Sequence, residues 1–281
     1  MEKEVIRSRQ NKLCKLVCSL ERKKAREETG LFRFDGVKLC REALMKGVEI
    51  EYVVVCESRL CEITKSLGEL LDGTCICVVS DDVFEKMSDE KSPEGVITVA
   101  KALDKLHKIA TINNSGEFSH MPTGNERVFM LESIRDPGNL GTMIRTAASL
   151  GIDRLVLSSD CADIYNPKTI RGAMGALFMQ NIDVLPSDVG AAERYISALR
   201  ASGRRVYAAA LHKESKRLDC LSLSSRDVFV VGNEGHGLSD EVTEACDSCV
   251  IIPMRSECES LNAAMAAGIL MWETFRAHTE G

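Results

Sequence analysis

The sequence predicts an α/β protein in two parts: a smaller N-terminal α/β domain and a larger C-terminal domain on a mostly parallel sheet. Three observations predict it. From Val128 onward, short β-branched runs alternate with helical stretches, as they do when parallel strands are joined by crossover helices. A polar stretch at 105–126, bearing Gly and Pro, separates this region from three earlier strand-like runs. At 281 residues the chain is long for one compact domain and comfortable for two, and 44% hydrophobic content supports packed cores.

Residues 9–28 read as a helix rich in Lys, Arg and Glu, which Gly30 breaks before an extended stretch to Gly36. Val37–Lys46 reads as a short helix ended by Gly47, as helices often are. Tyr52–Cys56, Cys75–Val79 and Gly95–Val99 are β-branched runs bounded by turns, so they are expected strands. Helices fit between them at 57–70 and 81–88, and the domain is expected to end near Asp104. The linker, 105–126, holds the polar segments Ile112–Gly116 and Met121–Asn125. In the second domain the expected strands are Val128–Leu131, Arg154–Leu157, Ile182–Leu185, Val206–Ala210, Val228–Val231 and Cys249–Ile252. The expected helices are 140–150, 168–177, 189–202, 239–246 and 261–277.

Composition bounds the function. The net charge is −6, which counts mildly against nucleic acid as a partner, because phosphate binding needs local Lys and Arg. The charge is uneven, however. Residues 1–46 hold thirteen Lys and Arg against seven Asp and Glu, while residues 47–100 hold four against twelve. The basic arm is the candidate surface for a polyanionic partner such as nucleic acid; the plainer alternative is a set of solvated helix faces. The charged start Met1–Glu4 is unlike a secretory signal, and the apolar run Ala263–Trp272 is too short to span a bilayer. A cytoplasmic protein without membrane attachment is expected, so the twelve cysteines are expected as reduced, mostly buried thiols and not disulfides. Cys246 and Cys249 form a lone pair without a matching second pair, so no metal site is expected.

Three segments carry the chemistry. Each is an apolar strand running into a loop rich in Gly, Asn, Ser or Pro, then a helix. They are Asp136–Ala147, Val231–Leu238, and Ile251–Met254 followed by Ser260-Leu261-Asn262. Ligands of α/β sheets bind at strand ends of this kind, so the three segments suggest one composite site. Together they resemble the SpoU (TrmH-type) family of RNA ribose 2′-O-methyltransferases, of the SPOUT class. The first family motif matches Asn139, Gly141, Arg145, Thr146 and Ala147. The second matches Gly232 and Glu234, and the third Ile252-Pro253-Met254 with Ser260-Leu261-Asn262. The chain departs from many members at Arg255, where Gly is usual, and at Ala263-Ala264, where Val-Ser is usual.

The resemblance implies a C-terminal domain with helices on both faces of its sheet and a chain that passes through a trefoil knot. It also implies an N-terminal substrate-binding domain with the fold of a ribosomal protein that binds kinked RNA. Asp81–Phe84 followed by Ser92–Val96 fits how that domain ends, with Glu94 where many members have Gln. The implied cofactor is S-adenosylmethionine. Gly232, Ile252 and Leu261 match cofactor-contacting positions, and Ala210 and Leu211, at another strand end, are further candidates.

Methyl transfer to a ribose hydroxyl requires the methyl carbon about 3 Å from the oxygen and somewhere for the proton to go. The family assigns Arg145 to activating the 2′-hydroxyl. Because an Arg is effectively always protonated, a role binding the adjacent phosphate and polarising the hydroxyl competes with one as a base. Asn139 suits a helix N-cap, which alone explains it; the resemblance adds a hydrogen bond that fixes Arg145 or the RNA. Glu234 is expected to pair with Arg145 and orient its guanidinium. Ser260 and Asn262 read as caps that, by resemblance, also organise the pocket. His236 is a less fitting base, since the motif does not require His there.

The expected function is S-adenosylmethionine-dependent 2′-O-methylation of structured RNA, with ribosomal RNA favoured over transfer RNA. A transfer-RNA enzyme and a non-catalytic RNA-binding protein of the same fold are the alternatives. A nucleotide-dependent oxidoreductase is a third, although Gly235-x-Gly237 lacks the third spaced glycine. A homodimer through the C-terminal domain is expected. The final helix, with Met265, Ile269, Leu270, Trp272 and Phe275, is apolar nearly all round, and Trp272 and Phe275 lie three apart on one face.

Overall fold

The computed structural model describes residues 4–90, 92–103, 106–108, 118, 121–212, 214–255 and 260–279. The chain forms two compact units, Met1–Leu103 with Tyr165–Ile170, and Asp104–Ile164 with Arg171–Gly281. Expectations about Ile112–Gly116, and about the start Met1–Glu4 up to Lys3, fall outside the described residues.

The first unit contains β1 (Val5–Ile6), α1 (Lys12–Ser19), α2 (Lys23–Thr29), β2 (Leu31–Asp35) and α3 (Val37–Met45). β3 (Ile50–Cys56), α4 (Leu60–Leu67), β4 (Ile76–Val79), α5 (Asp81–Met87) and β5 (Val96–Lys101) follow. The sheet order is β1-β4-β3-β5-β2. β4 runs parallel to β1 and β3, while β5 runs antiparallel to β3 and β2. Strand periodicity decides the two faces. Val54, Val79, Ile97 and Val99 pack with Cys14, Val17, Val83 and Phe84 of α1 and α5. Val53, Val55 and Val96 pack on the other side with Cys40, Ile63 and Leu67 of α3 and α4.

The single helix expected over 9–28 is two, α1 and α2. Buried Arg26 explains how the break is tolerated: its guanidinium donates to the carbonyls of Leu20 and Glu21, at 2.6 and 2.7 Å, which the break leaves without helical partners. Arg33 is also internal, donating to the Met87 carbonyl and pairing with Asp89. Two of the basic arm's arginines are therefore structural, 7% and 2% exposed, and cannot face RNA.

The second unit contains β6 (Leu106–Lys108), β7 (Val128–Leu131), α6 (Pro137–Ser149), β8 (Arg154–Leu157) and α7 (Pro167–Ala173, whose first residues cluster with the first unit). Then come β9 (Asn181–Val184), α8 (Ala191–Ala201), β10 (Val206–Ala209), β11 (Lys216–Arg217), β12 (Val228–Val231), α9 (Asp240–Ala245), β13 (Ser248–Ile251) and α10 (Ala263–Thr279). The sheet order is β11-β13-β10-β12-β7-β8-β9-β6, and every pairing is parallel. Two strands escape the sequence pattern because they are too short to show a period. β11 is one, and β6, inside the expected linker, is the other.

Both faces of the central strands are covered. Val128, Met130, Val228 and Val230 pack with Tyr195, Ile196 and Leu199 of α8 and Val242 of α9. Phe129, Phe229 and Tyr207 stack along the opposite face, with ring centroids 6.5 and 5.6 Å apart. α10 packs on α6 and β12. Ala263, Ala267, Leu270 and Met271 are buried, while Met265 and Trp272 are 62% and 50% exposed, so the outer face of α10 is apolar as well. Among the described residues no helix is long and apolar enough to cross a membrane.

The cysteines are not uniformly buried. Cys14, Cys40, Cys56 and Cys246 are, but Cys61, Cys75 and Cys220 are exposed, and Cys258 lies outside the described residues. Burial pushes the Cys246 thiol up to about 12.

Candidate active site

From β7 the chain continues to β8 on one side, while its neighbour on the other side is β12. That makes the C-terminal ends of β7 and β12 a topological switch point, where open parallel sheets leave a crevice. The Asp136–Asn139 turn follows β7, the Gly232–Leu238 loop follows β12, and the Ile252–Asn262 segment follows β13. A cleft of about 810 Å³ opens there. All five sequence-predicted cofactor positions, Gly232, Ile252, Leu261, Ala210 and Leu211, line it, as do Glu234 and Ser260.

Local chemistry explains each loop. α6 begins at Pro137, and its N-cap is Asp136, whose carboxylate accepts from the Asn139 N–H at 2.8 Å. Asn139 is therefore not the cap; it lies in the first turn, with its side chain available. Gly141 is buried, and a Cβ on the facing Gly172 would lie 3.2 Å from its Cα. This glycine of the first motif thus serves helix packing. A Cβ on Gly232 would lie 2.4 Å from the carbonyl carbon and oxygen of Gly237 and from the Leu238 nitrogen. Only glycine permits the loop to fold back so closely, closed by paired bonds between Asn233 and Gly237 at 2.9 and 3.0 Å.

Three of the predicted catalytic side chains come together. At the start of α10, Asn262 Oδ1 accepts from the N–H groups of Ala264 and Met265, at 2.9 and 3.3 Å. The helix end demands the oxygen, so Asn262 Nδ2 must point away, and it donates to Asn139 Oδ1 at 3.2 Å. Asn139 is oriented in turn, and its Nδ2 donates to Glu234 Oε1 at 2.9 Å. The polarity of both amides is thus fixed from the helix terminus to the carboxylate.

The expected Glu234–Arg145 pair does not form; Glu234 meets Asn139 instead, through Oε1. Arg145 is exposed on α6; its carbonyl accepts from the Ser149 hydroxyl at 2.8 Å, and its guanidinium has no hydrogen-bond or ion-pair partner among the described residues. It sits six residues after Asn139, so α-helical geometry turns it away from the Asn139 face. Ser260 is exposed at the cleft and is not the cap of α10, a role Asn262 holds. His236 lines the cleft, exposed, with its N–H bonded to Asn233 Oδ1 at 3.2 Å. Trp272 and Phe275 stack on each other at 5.7 Å, away from the cleft lining.

Sequence reasoning missed three residues of this region: Glu132, Asn233 and Ser239. Asn233 Oδ1 accepts from the Gly235 N–H at 2.8 Å, and its Nδ2 donates to the Ser133 carbonyl at 2.8 Å. Both Glu132 oxygens accept from Ser239. Burial pushes the Glu132 carboxyl above its ordinary range, against the lowering effect of the Ser239 bonds. An Asn immediately after Gly232 was the one available sign of a loop-forming residue.

The chain is similar to known proteins along both of its units. A family model described as the SpoU rRNA Methylase family matches residues 126–272, and one described as an MRM3-like substrate binding domain matches residues 11–98. The 23S rRNA (guanosine(2553)-2′-O)-methyltransferase RlmP of Bacillus subtilis is 32% identical, over 95% of this chain and 97% of its own. The 23S rRNA (uridine(2479)-2′-O)-methyltransferase of Streptomyces viridochromogenes is 29% identical, over 91% and 86%. Among solved structures, an AdoMet-bound rRNA methyltransferase from Sinorhizobium meliloti is similar with a TM-score of 0.79 and 27% identity, covering 98% of each chain. The SpoU methyltransferase AviRb from Streptomyces viridochromogenes, in complex with AdoMet, is similar at 0.77 and 25%, covering 96% of this chain and 100% of its own.

Proposed function

The chain belongs to the SpoU rRNA methylase family, and on that premise we propose that it methylates a ribose 2′-oxygen of ribosomal RNA at the cleft beside β12. The observation that carries the reading is the Asn262–Asn139–Glu234 chain, which joins three strand-end loops at the rim of that cleft.

The cleft fits S-adenosylmethionine. Its volume falls in the range of small-molecule sites, roughly 300–1,000 Å³. Val231, Val250 and Leu270 give it apolar wall, and the Gly232 approach exposes main-chain groups that can read an adenine edge. When bound, S-adenosylmethionine supplies an electrophilic methyl on a sulfonium centre. Gly232, Ile252 and Leu261 are the residues we assign to holding it, with Ala210 and Leu211 at the rim.

The chain's own residues then have distinct tasks. Glu234 Oε1 is taken by Asn139, which leaves Oε2 without a partner among the described residues. That oxygen can accept from a ribose hydroxyl or from a guanidinium brought by substrate binding. An Arg side chain is effectively always charged, so the task we give Arg145 is to bind the phosphate beside the target ribose and polarise the 2′-hydroxyl. The proton then leaves to a phosphate oxygen or to water. Asn262 holds the third loop against the first, and Ser260 faces the cleft beside it.

The experiment is tritiated methyl transfer to ribosomal RNA, with reverse-transcription stop mapping in RNA from a deletion strain and its parent. A site present in the parent and absent in the deletion is expected. Unchanged ribosomal RNA, with a lost 2′-O-methyl in transfer RNA, refutes the substrate assignment.

Two structural readings belong with this proposal. One is the trefoil knot, supported by β13 lying between β10 and β11, which are consecutive in the chain. Pulling the chain by its termini tests it: a knotted chain stops short of its contour length. The other is a homodimer through α10, supported by exposed Met265 and Trp272, seven residues apart and so on one helical face.

A further inference from the structure

β7 ends at Leu131, and the next two residues grip the loop that follows β12. Glu132 is only 9% exposed. Its Oε2 accepts from the Ser239 N–H at 3.0 Å and its Oε1 from the Ser239 hydroxyl at 2.6 Å. Ser239 Oγ in turn accepts from the Val242 N–H at 3.3 Å and caps α9. Ser133 takes the other end of the loop, its carbonyl accepting from Asn233 Nδ2 at 2.8 Å.

Ser133 pays for this orientation with φ +54°, a left-handed backbone that disfavours a side chain. It is held there by its N–H on Ser158 Oγ, at 2.8 Å, and by its hydroxyl on Asp160. Strain that is over-determined in this way points to function. The burial of Glu132 points the same way. It meets neutral donors, and its charged neighbours Asp160 and Glu193 are both anionic. Ser239 can cap α9 by itself, so a stable helix does not require a buried anion behind it.

Residues 233–238 line the cleft, whereas Glu132 and Ser239 do not. We propose that Glu132, acting through Ser239, is a positioning residue that presets this loop for the methyl donor, with the Ser133–Asn233 bond as the second anchor. It rests on the assignment of the cleft to S-adenosylmethionine.

The test is calorimetric titration of the full-length protein with S-adenosylhomocysteine, alongside steady-state methylation. Absence of binding by the unaltered protein refutes the cofactor assignment itself; the positioning role is read only from differences among variants. Glu132→Gln keeps the volume but turns an N–H toward a donor. It is expected to raise the Kd, and the KM for S-adenosylmethionine, about tenfold, with kcat at saturation within about twofold. Ser239→Ala is expected to do the same, and Ser239→Thr to restore binding. The double variant should be no worse than the poorer single, because both act through one contact. An unchanged Kd with lowered kcat or lowered Tm in Glu132→Gln means a purely structural or a chemical role, and overturns the proposal; so do additive effects in the double variant. Should Glu132→Gln fail to fold, Ser239→Ala decides, since it removes only the hydroxyl, and a normal Kd there is equally fatal.

Discussion

Asn139 shows what a single amide can do when its two ends are assigned. Its oxygen faces Asn262 and its nitrogen faces Glu234, so replacing it by Asp sets a carboxylate against Glu234. Asn139→Asp is expected to lower kcat at least about a hundredfold, in the range of losing an oriented polar contact at a reacting centre. Arg145→Ala should abolish transfer while leaving S-adenosylhomocysteine affinity within about twofold, since Arg145 does not line the cleft. Arg145→Lys should fail nearly as badly, because a point charge cannot reproduce a planar two-pronged contact. Near-normal turnover by the Lys variant sinks that role. Glu132 adds a pH signature. Its folded carboxyl is raised by burial, so the folded state holds a proton the unfolded state has already lost. Its contribution to stability is therefore fully present below the unfolded value and is lost as pH rises through the folded one. Denaturant midpoints of wild type and Glu132→Gln, compared from pH 4 to pH 8, should show the wild type losing ground as pH rises. At this scale the three motifs made the candidate side chains Asn139, Glu234 and Asn262 legible. Their pairing was not, which is why Glu234 was matched to Arg145 instead of Asn139.

At the scale of elements, the loops after β7, β12 and β13 depend on close backbone approach as much as on side chains. Gly232→Ala places a methyl group 2.4 Å from main-chain atoms of Gly237 and Leu238, which cannot rotate away. It is expected to cost about 1–3 kcal/mol or more in urea unfolding and to remove cofactor binding. An unaltered unfolding midpoint disproves the rigidity of that loop. The long strands and helices were readable because a period of 2 or 3.6 repeats several times within them. β1, β6 and β11, at two or three residues, contain no repeat. The break between α1 and α2 was hidden for another reason: Arg26, which rescues the broken carbonyls, has the same charge as its solvated neighbours.

At the scale of the molecule, the N-terminal unit matches a substrate-binding domain and carries an exposed basic row, Lys12, Lys15, Arg22, Lys23 and Lys24. Lys12→Ala with Lys15→Ala is expected to weaken RNA binding and to flatten its salt dependence by about 1–2 in log–log slope, about 0.7–0.9 per lost phosphate contact. Cofactor affinity should not change. An unaltered salt slope removes those lysines from the RNA surface. The homodimer is tested by light scattering at micromolar concentration, with Trp272→Glu expected to yield the mass of a single 30.9 kDa chain. A wild-type mass already at that value ends the dimer reading.

The sequence by itself determined the fold class, the family and the three loops of the site. Those follow from local patterns, each written within a dozen consecutive residues. The tertiary structure alone decided which side chains meet. Asn139 reaches Glu234 across 95 residues of sequence and Asn262 across 123, and Glu132 reaches Ser239 across 107. Such distances are closed by strand order, with β12 beside β7 and α10 beside α6, and strand order has no period to read. For the same reason the helix phase that leaves Arg145 without a partner among the described residues became visible only once Asn139 had been placed against the other two loops.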